Sequence, residues 1–524
     1  MPHNISRRTF LRGVTASGLV LAGPMLWDQP AAAGTAGPSQ LHLQYGADAS
    51  RQMNVSWATD GSVRRPRLRL GTPHGGFGRT VDAETRSYAD GQNGVATVTQ
   101  HAQVGGLRPD ADYIYEVSHD GAAPVRGAFT TAPTGRVPFR FTSFGDLGSG
   151  NPIWSKSSIN AITAIHQVEQ FAPTVHLLNG DLSYANVNQA NQPAVWTDFM
   201  NNMAVSARNR PWMPALGNHE VEAGNGDLGY NAYHNRFELP DNRTAFRGNW
   251  YSFQVGSVLF ISLDNNDVVY QNGGGQDPNT LQALYIRGYS NGLQTRWLRR
   301  TLAQARADHG IDWIVAYMHQ PAISSSASGS GGDLGIREEF MGLFYEYGVD
   351  LVLAGHDHDY ERSYLLHGTD SPLLRPRVVT TDTRIVDTSR GLVHLILGGG
   401  GTSSHDDVYG APAPDGSGEP IAQVYTKPAA FKAVADASEV ASWSAVRDPD
   451  AAHPWGLAVF DVDPGHHAGS QTSITMTYYH TPAATADNPF PAPIPFDTFT
   501  AVRPRRDGSF HTGRDGELAL PAVH

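Results

Sequence analysis

The stretch GHDHDYER, residues 355–362, decides how the rest of the chain is interpreted. It follows VDLVLA, residues 349–354, an apolar run with the length of a buried strand. A strand that stops at a glycine before His-x-His places two imidazoles at the carboxyl end of a sheet, where ligands collect in open α/β folds. The spacing suits one metal ion or two neighbouring ions, and surface histidines of a turn are the alternative.

The composition describes a folded, acidic chain without cysteine. Its 524 residues are too many for one ordinary core, and 40% hydrophobic with 17% charged residues is typical of a folded protein. The net charge of −12 argues against nucleic acid as a stable partner. Because there is no cysteine, thiolate metal sites, cysteine nucleophiles and disulfide-linked dimers are excluded, and any metal must be held by His, Asp, Glu, Asn or Tyr.

The N-terminus has the pattern of an export signal. Arg7 and Arg8 precede Phe10, a short apolar run follows, and three alanines end at Ala33. We expect residues 1–33 to be a twin-arginine signal peptide, with a basic tail as the alternative, and the mature protein to be secreted or held in the cell envelope. Elsewhere the sequence contains no apolar stretch long enough to predict a membrane span.

Residues 38–133 predict an all-β sandwich. Four runs in this region alternate apolar and polar residues, as half-buried strands do: residues 41–45, 53–57, 95–99 and 113–117. The segment LRPDADY, residues 107–113, resembles the tyrosine corner of fibronectin type III and immunoglobulin-like domains, and Trp57 is the predicted core aromatic. We interpret this domain as a structural or docking module, with surface or carbohydrate binding as the alternative.

A linker at residues 132–138 leads into a second domain, predicted over residues 137–482. Strand-like and helix-like segments alternate there, which predicts an α/β fold with a largely parallel region. Residues 456–462 and 473–479 are predicted to form a closing hairpin. We expect residues 483–524 to be a tail, polar and loose from Asp497 onwards.

Five predicted strands of this domain end in polar residues of types that bind metals. Aspartate and asparagine are common in turns, so one such end means little, but five in one α/β domain indicate a shared site. In chain order the ends read GDLG at 145–148, GDLSY at 180–184, GNHE at 217–220, AYMH at 316–319 and GHDH at 355–358.

This ordered series resembles the calcineurin-like metallophosphoesterases, and most closely the purple acid phosphatases among them. The resemblance extends from about residue 139 to residue 480, and the sandwich ahead of it resembles the N-terminal domain of the plant-type members. It implies an αββα catalytic sandwich and a hydrolase acting on phosphate esters.

The resemblance also implies the ligands of two metal ions, bridged by Asp181 and roughly 3.5–4 Å apart. The first ion would take Asp146, Asp181, Tyr184 and His358, and the second Asp181, Asn218, His319 and His356.

The metals follow from the types of ligand. Most relatives have a histidine ligand where this chain has Gly148, and we expect Tyr184 to replace it. A phenolate, with an ordinary pKa of about 10, favours Fe(III), whereas the softer second site suits a divalent zinc, manganese or iron ion.

By the same resemblance, a metal-bound hydroxide attacks a phosphomonoester in line with its leaving group. We expect His219 to stabilise the phosphoryl oxygens or protonate the leaving alkoxide, with structural hydrogen bonding as the alternative. Glu220 would orient His219 or lie solvated in a loop. A phosphodiesterase or nucleotidase with the same centre, and a non-catalytic surface-binding protein, are the alternative functions.

The sequence departs from the family pattern after His319. Plant-type members carry further histidines there, whereas residues 320–329 contain none. The family's scheme for leaving-group protonation therefore does not carry over to these positions, and His405 is the candidate substitute. The other charged residues of the GHDHDYER stretch are expected to be structural: Asp357, Asp359, Glu361 and Arg362.

Overall fold

The computed structural model describes residues 37–271, 287–327, 330–402, 409–426, 435–448, 455–485 and 487–508. The predicted signal peptide and His405 lie outside these residues. Among the described residues, no helix has both the length and the apolar character needed to cross a bilayer.

The N-terminal domain is an all-β sandwich of two antiparallel sheets, in the orders β1-β2-β6-β5 and β4-β3-β7-β8. Its strands are β1 Ser39–Tyr45, β2 Met53–Thr59, β3 Arg67–Thr72, β4 Gly76–Asp82, β5 Glu84–Ala89, β6 Ala96–Val104, β7 Asp112–Ser118 and β8 Val125–Thr130. Trp57 is fully buried in its core. The backbone N–H of Arg108 donates to the hydroxyl of Tyr113 at 2.9 Å, so the predicted tyrosine corner is confirmed.

The second domain is built around two seven-stranded sheets. The first has the order β11-β10-β9-β25-β26-β27-β20 and the second the order β12-β13-β14-β16-β21-β17-β24. Two smaller sheets, β15-β22-β23 and β18-β19, complete it. The strands are β9 Phe139–Phe144, β10 Val175–Leu178, β11 Trp212–Pro214, β12 Tyr251–Val255, β13 Val258–Ser262, β14 Trp313–Tyr317, β15 Gly332–Asp333, β16 Leu351–Ala354, β17 Tyr360–Ser363, β18 Leu365–Thr369, β19 Pro376–Thr380, β20 Ile385–Asp387, β21 Val393–Leu397, β22 Ile421–Tyr425, β23 Ala435–Val440, β24 Ser444–Arg447, β25 Gly456–Asp463, β26 Gln471–His480 and β27 Ile494–Pro504.

Six α-helices accompany these sheets in the described part of the chain. They are α1 Asn160–Phe171, α2 Gln192–Ala207, α3 Asn231–Arg236, α4 Leu293–Ala307, α5 Leu334–Ile336 and α6 Gly342–Tyr347, with a π-helical turn at Arg337–Met341 between the last two. Helices α2 and α3 also pack against strands of the N-terminal sandwich. Helix α6 ends because Gly348 adopts a left-handed backbone, with φ of 63°. Helices α4 and α6 bury Leu298, Leu302 and Phe344 in one cluster with Ile314 on the second sheet.

The two large sheets pack face to face through aromatic side chains. Phe141 of β9 stacks on Phe460 of β25 at 4.4 Å and meets Phe260 of β13, in the other sheet, edge-on at 5.0 Å between ring centres. The predicted αββα architecture is therefore confirmed.

Parallel pairing brings the motif-bearing strand ends together. Strands β9, β10 and β11 are mutually parallel neighbours in the first sheet, and β13, β14, β16 and β21 are parallel neighbours in the second. The loops that carry the five motifs therefore leave the same edge of the two-sheet core.

The prediction of a loose tail from Asp497 is wrong for the described residues. Strand β27 pairs with β26 and β20 inside the first sheet and buries Phe499 and Ala501. The Arg503 guanidinium donates to both carboxylate oxygens of the buried Asp350, at 2.6 and 2.8 Å. The first residues of β27 are exposed, and buried and half-buried residues alternate only from Phe499 onwards, so the strand pattern is weak in the sequence.

Candidate metal centre

The carboxyl edge of the two sheets holds a cluster that we call the tyrosine cluster: Asp146, Tyr184 and His358. The Tyr184 hydroxyl donates to Asp146 Oδ1 at 3.0 Å and lies 3.0 Å from Nε2 of His358. That same nitrogen is 3.3 Å from Asp146 Oδ1. Asp146 and Tyr184 are completely buried, whereas the His358 side chain is 13% exposed.

Beside it lies a second group, the histidine cluster: Asp181, Asn218, His319 and His356. Nε2 of His319 lies 3.1 Å from Asp181 Oδ2, 2.9 Å from Asn218 Oδ1 and 3.2 Å from Nδ1 of His356. One ligand atom from each of Asp181, His319 and His356 lies within 4.8 Å of the others. The structure thus brings together all seven residues that the sequence predicts as ligands.

The tautomer of His319 follows from its outer contact. Its Nδ1 lies 2.9 Å from the carbonyl oxygen of Asn179, an acceptor only, so Nδ1 carries a proton. In the neutral ring, Nε2 then directs a lone pair towards the oxygens of Asp181 and Asn218. Lone pairs facing one another at about 3 Å repel unless a cation or a proton lies between them.

The electrostatics of both clusters agree with a cation site. Burial lowers the pKa of His319, but the charges of Asp181 and Asp146 outweigh that effect and raise the pKa to about 9. Burial together with the charge of Asp146 raises the pKa of Tyr184 well above its ordinary range, so its phenolate needs a strong positive charge to form. Imidazole nitrogen, carboxylate, amide and phenol oxygens in this arrangement fit two metal ions.

Two glycines allow the motif loops to approach one another. A Cβ atom on Gly180 would lie 2.6 Å from Cβ of His319, and one on Gly217 would lie 2.3 Å from Oδ1 of Asp181. Any side chain at either position would displace a predicted ligand. The glycines of these two motifs are therefore required by the close packing of the site.

Four cluster residues have a left-handed backbone, which is rare for residues with a side chain. The φ angles are 60° at Asp146, 51° at Asp181, 58° at Tyr184 and 72° at His356. Each such residue costs roughly 1 kcal/mol or more and persists only where surrounding contacts enforce it.

His219 lies on the open side of the two clusters. Its side chain is 21% exposed, against 2% for Asp181 and 0% for His319. The ring packs 4.4 Å from the ring of Tyr184, and Nδ1 lies 2.7 Å from Oδ1 of Asn186. Nε2 is 3.8 Å from Asp181 Oδ2. The ring therefore borders the histidine cluster without joining it.

Glu220 has neither of the roles expected from the sequence. It is buried and accepts hydrogen bonds from the backbone N–H groups of Asp181 at 2.9 Å, Leu182 at 2.8 Å and Gly217 at 2.8 Å. A carboxylate with these partners fastens two motif loops together. Both expectations were wrong because the partners are backbone groups, which a sequence motif does not reveal.

Two further residues that support the histidine cluster were missed. Asn265 Oδ1 accepts the backbone N–H of His319 at 2.8 Å, and Asn266 Nδ2 donates to the carbonyl oxygen of Gly217 at 3.0 Å. Both belong to the sequence DNND at 264–267, which follows β13. A polar run after a strand was the signal used for the other five motifs, and it applies here too.

The segment after His319 supports the His-x-His turn. The Ser324 hydroxyl donates to the Asp357 carboxylate, and Ser325 donates to Glu361 through its N–H at 2.7 Å and its hydroxyl at 2.9 Å. The structural role expected for Asp357 and Glu361 is therefore confirmed.

Comparison with known families gives two matches. The family described as calcineurin-like phosphoesterase matches residues 139–360, and the N-terminal domain family of purple acid phosphatases matches residues 38–131. The first match contains all five motifs of the metal centre.

Relatives and solved structures agree with these matches. An uncharacterised protein of Mycobacterium tuberculosis is 44% identical over 535 residues, covering 96% of this chain and 97% of its own. Probable purple acid phosphatase 20 of Arabidopsis thaliana is 28% identical over 340 residues, or 62% of this chain and 69% of the relative. The purple acid phosphatase PPD1 of yellow lupin has the same fold, with a TM-score of 0.64 at 19% identity, covering 90% of this chain and 76% of its own.

Proposed function

Because the chain belongs to the purple acid phosphatases among the calcineurin-like phosphoesterases, we propose that it hydrolyses phosphomonoesters at the centre formed by its tyrosine and histidine clusters. The observation that carries this proposal is the convergence of seven ligand-type side chains from five separate strand ends. A vestigial centre would not be expected to keep all seven.

We assign the ligands as the family resemblance implies. The tyrosine cluster together with Asp181 would hold Fe(III), because a buried phenolate requires a strongly acidic ion. The histidine cluster, whose donors are mostly neutral, would hold a divalent zinc, manganese or iron ion. When bound, the two ions neutralise phosphate oxygens and make a water molecule acidic enough to act as a nucleophile.

The side chains around the clusters orient the substrate and move a proton. Asn186 Oδ1 accepts from Nδ1 of His219, which fixes the ring and leaves Nε2 free of that bond, 3.8 Å from Asp181 Oδ2. Desolvation lowers the pKa of His219, whereas the negative charge of a bound phosphoryl group would raise it. We propose that a protonated His219 Nε2 stabilises the phosphoryl oxygens or protonates the leaving alkoxide.

The proposal includes export through the twin-arginine pathway. It is supported by the paired Arg7 and Arg8 ahead of an apolar run. Fractionation of cells carrying Arg7→Lys and Arg8→Lys together tests it. We expect the variant protein to stay in the cytoplasm, and normal export of the variant would contradict the proposal.

Metal analysis with a matched activity assay tests the function. We expect about two metal ions per chain, one of them iron, and turnover of p-nitrophenyl phosphate well above that of bis(p-nitrophenyl) phosphate. A protein loaded with two ions that turns over neither substrate would contradict the proposal. Faster turnover of the diester would instead favour the phosphodiesterase alternative.

A further inference from the structure

We propose that a turn of the N-terminal sandwich positions His219 beside the metal centre by fastening the two loops that carry and contact this residue. The inference rests on the proposed phosphatase function and gives the sandwich a part in it. The sandwich turn, residues 90–94, joins β5 to β6. The first loop, which we call the tyrosine loop, is residues 185–191 and follows Tyr184; the second, the GNHE loop, is residues 217–226.

A buried amide, the side chain of Asn225, joins the sandwich turn to the GNHE loop. Its Oδ1 accepts the backbone N–H of Gly91 at 2.8 Å. Its Nδ2 donates to Oδ2 of Asp90 at 3.0 Å and to Oε2 of Glu222 at 2.6 Å. Asn225 is 0% exposed, Glu222 1% and Asp90 2%. Because buried polar groups are costly to leave without partners, this amide fixes the two segments against each other.

Two exposed side chains of the sandwich turn hold the loops from outside. Nε2 of Gln92 donates to the carbonyl oxygen of Ala223 at 2.8 Å, in the GNHE loop. Nδ2 of Asn93 donates to the carbonyl oxygen of Ala190 at 3.1 Å, in the tyrosine loop. Oδ1 of Asp90 accepts the backbone N–H groups of Gln92 at 3.0 Å and Asn93 at 3.2 Å, which sets the shape of the turn. One short turn therefore restrains both loops at once.

The sandwich turn and the GNHE loop meet closely at two glycines. A Cβ atom on Gly91 would lie 2.3 Å from the carbonyl oxygen of Gly224. Gly224 has a left-handed backbone, with φ of 83°. Backbones this close leave no room for a side chain at position 91, so the contact is a specific fit between the two domains.

The two loops meet at His219 through the side chain of Asn186. Oδ1 of Asn186 lies 2.7 Å from Nδ1 of His219, and Nδ2 of Asn186 lies 3.5 Å from the carbonyl oxygen of Val221. Ala190 lies four residues after Asn186 in the tyrosine loop, and Ala223 lies four residues after His219 in the GNHE loop. Each attachment of the sandwich turn is therefore about one helical turn of chain away from one partner of the Asn186–His219 contact.

The position of His219 explains why such restraint matters. Its side chain is 21% exposed, so the ring is packed less tightly than the buried Asp181 and His319. A group that acts on a substrate is effective only in a fixed geometry, and a displacement of about 1 Å can cost up to about a hundred-fold in rate. Movement of either loop would displace the ring without removing a predicted metal ligand. Loss of the sandwich turn should therefore slow turnover while the metal content stays the same.

The test removes the two exposed side-chain bonds and leaves the buried amide in place. A double variant, Gln92→Ala with Asn93→Ala, is compared with the wild-type, metal-loaded protein. Gln103→Ala is the matched control, because Gln103 is also exposed on the sandwich and its Nε2 also donates to the second domain, to Oε1 of Glu238 at 2.9 Å. Glu238 follows α3 and lies outside both loops.

We expect the double variant to lower kcat for p-nitrophenyl phosphate about five- to ten-fold and to keep KM within about two-fold, because a misplaced ring weakens the transition state more than substrate binding. Gln103→Ala should keep both constants within about two-fold of the wild type. In a His219→Ala background the double substitution should change kcat by less than about two-fold, because the sandwich turn acts through this ring. A merely structural role would lower kcat by the same factor in both backgrounds.

Hydrogen exchange measured by mass spectrometry gives a readout that does not depend on turnover. Peptides that cover residues 185–191 and 217–226 should exchange at least about three-fold faster in the double variant, because local opening of the two loops becomes easier. Gln103→Ala should leave exchange in both segments as in the wild type. Thermal midpoints and metal content of each variant establish that it is folded and loaded.

The outcomes separate the two proposals. An unchanged kcat in the double variant of an active enzyme, or unchanged exchange in the two loops, would overturn the role of the sandwich turn. An equal loss of kcat in Gln103→Ala, or in the His219→Ala background, would also overturn it. Absence of turnover by the metal-loaded wild type would refute the phosphatase function instead, and hydrogen exchange would still decide whether the sandwich turn restrains the loops.

Discussion

Asp350 is a buried carboxylate whose removal should strongly destabilise the catalytic domain without touching the metal centre. It precedes β16 at the amino end, whereas the metal centre lies at the carboxyl end. Its oxygens accept hydrogen bonds from the Ile314 N–H at 2.8 Å, the Thr388 hydroxyl at 2.7 Å and the Arg306 guanidinium at 3.1 Å. They also accept from the Arg503 guanidinium, at 2.6 and 2.8 Å. We expect Asp350→Ala to unfold at a much lower denaturant concentration than the wild type.

The magnitude follows from what the substitution leaves behind. Asp350→Ala removes an acceptor from two guanidinium groups, one backbone N–H and one hydroxyl. Asp350 is 0% exposed, so water does not readily replace it. Removing one partner of a buried ion pair costs about 3–5 kcal/mol, because the remaining charge stays desolvated. That is a large share of the roughly 5–15 kcal/mol that stabilises an ordinary domain.

A double-mutant cycle distinguishes this explanation from simple loss of packing. Arg503→Met removes one of the guanidiniums, so Asp350→Ala should cost less in its presence, with a coupling of about 1–3 kcal/mol. Urea unfolding followed by tryptophan fluorescence measures each corner of the cycle. Asp461→Ala, which breaks an exposed pair with Arg140, should have little effect. Additive effects in the cycle, or a loss below about 1 kcal/mol for Asp350→Ala, would refute the reasoning.

Three other substitutions give separable results. Tyr184→Phe should abolish the visible charge-transfer band of the iron-loaded protein, and a retained band would show that the phenol is not a ligand. Glu220→Ala removes the acceptor of three buried N–H groups and should weaken metal binding about 10–100-fold in chelator competition, with Glu346→Ala, on the exposed face of α6, as the control. Burial raises the pKa of Glu222 from 4.5 to about 7, so the folded state holds this proton more tightly than the unfolded state and stability falls as pH rises from about 4.5 to 7. The unfolding free energy of Glu222→Gln relative to wild type should therefore rise by up to about 3 kcal/mol across that range, and a pH-independent difference would contradict the assignment.

The predicted ligands could be named because the family resemblance assigns them from short motifs that are each local in the sequence. Each lies within a few residues of a strand end, and the parallel topology brings those ends to one edge. The residue types then limit the chemistry. Gly148 cannot bind a metal, for example, and Tyr184 is expected to supply the missing ligand. The family resemblance predicted that Asp146 lies beside His358, and the structure places them 3.3 Å apart.

The supporting residues could not be predicted in the same way, because their partners are distant in the sequence and often in the backbone. Glu220 holds the N–H groups of Asp181 and Leu182, which are nearly forty residues earlier in the chain. The sequence does not predict strand β27 partly because the contact of Arg503 with Asp350 spans 153 residues. A sequence pattern records neither pairing.

The same supporting contacts explain how a strained centre is maintained. The left-handed backbones of Asp146, Asp181, Tyr184 and His356 together cost roughly several kcal/mol. The bonds of Glu220 restrain the backbone around Asp181 independently of any ion, just as the N–H of His356 is held by Asp146 Oδ2 at 2.8 Å. Contacts within the chain therefore restrain the backbone at these predicted ligands.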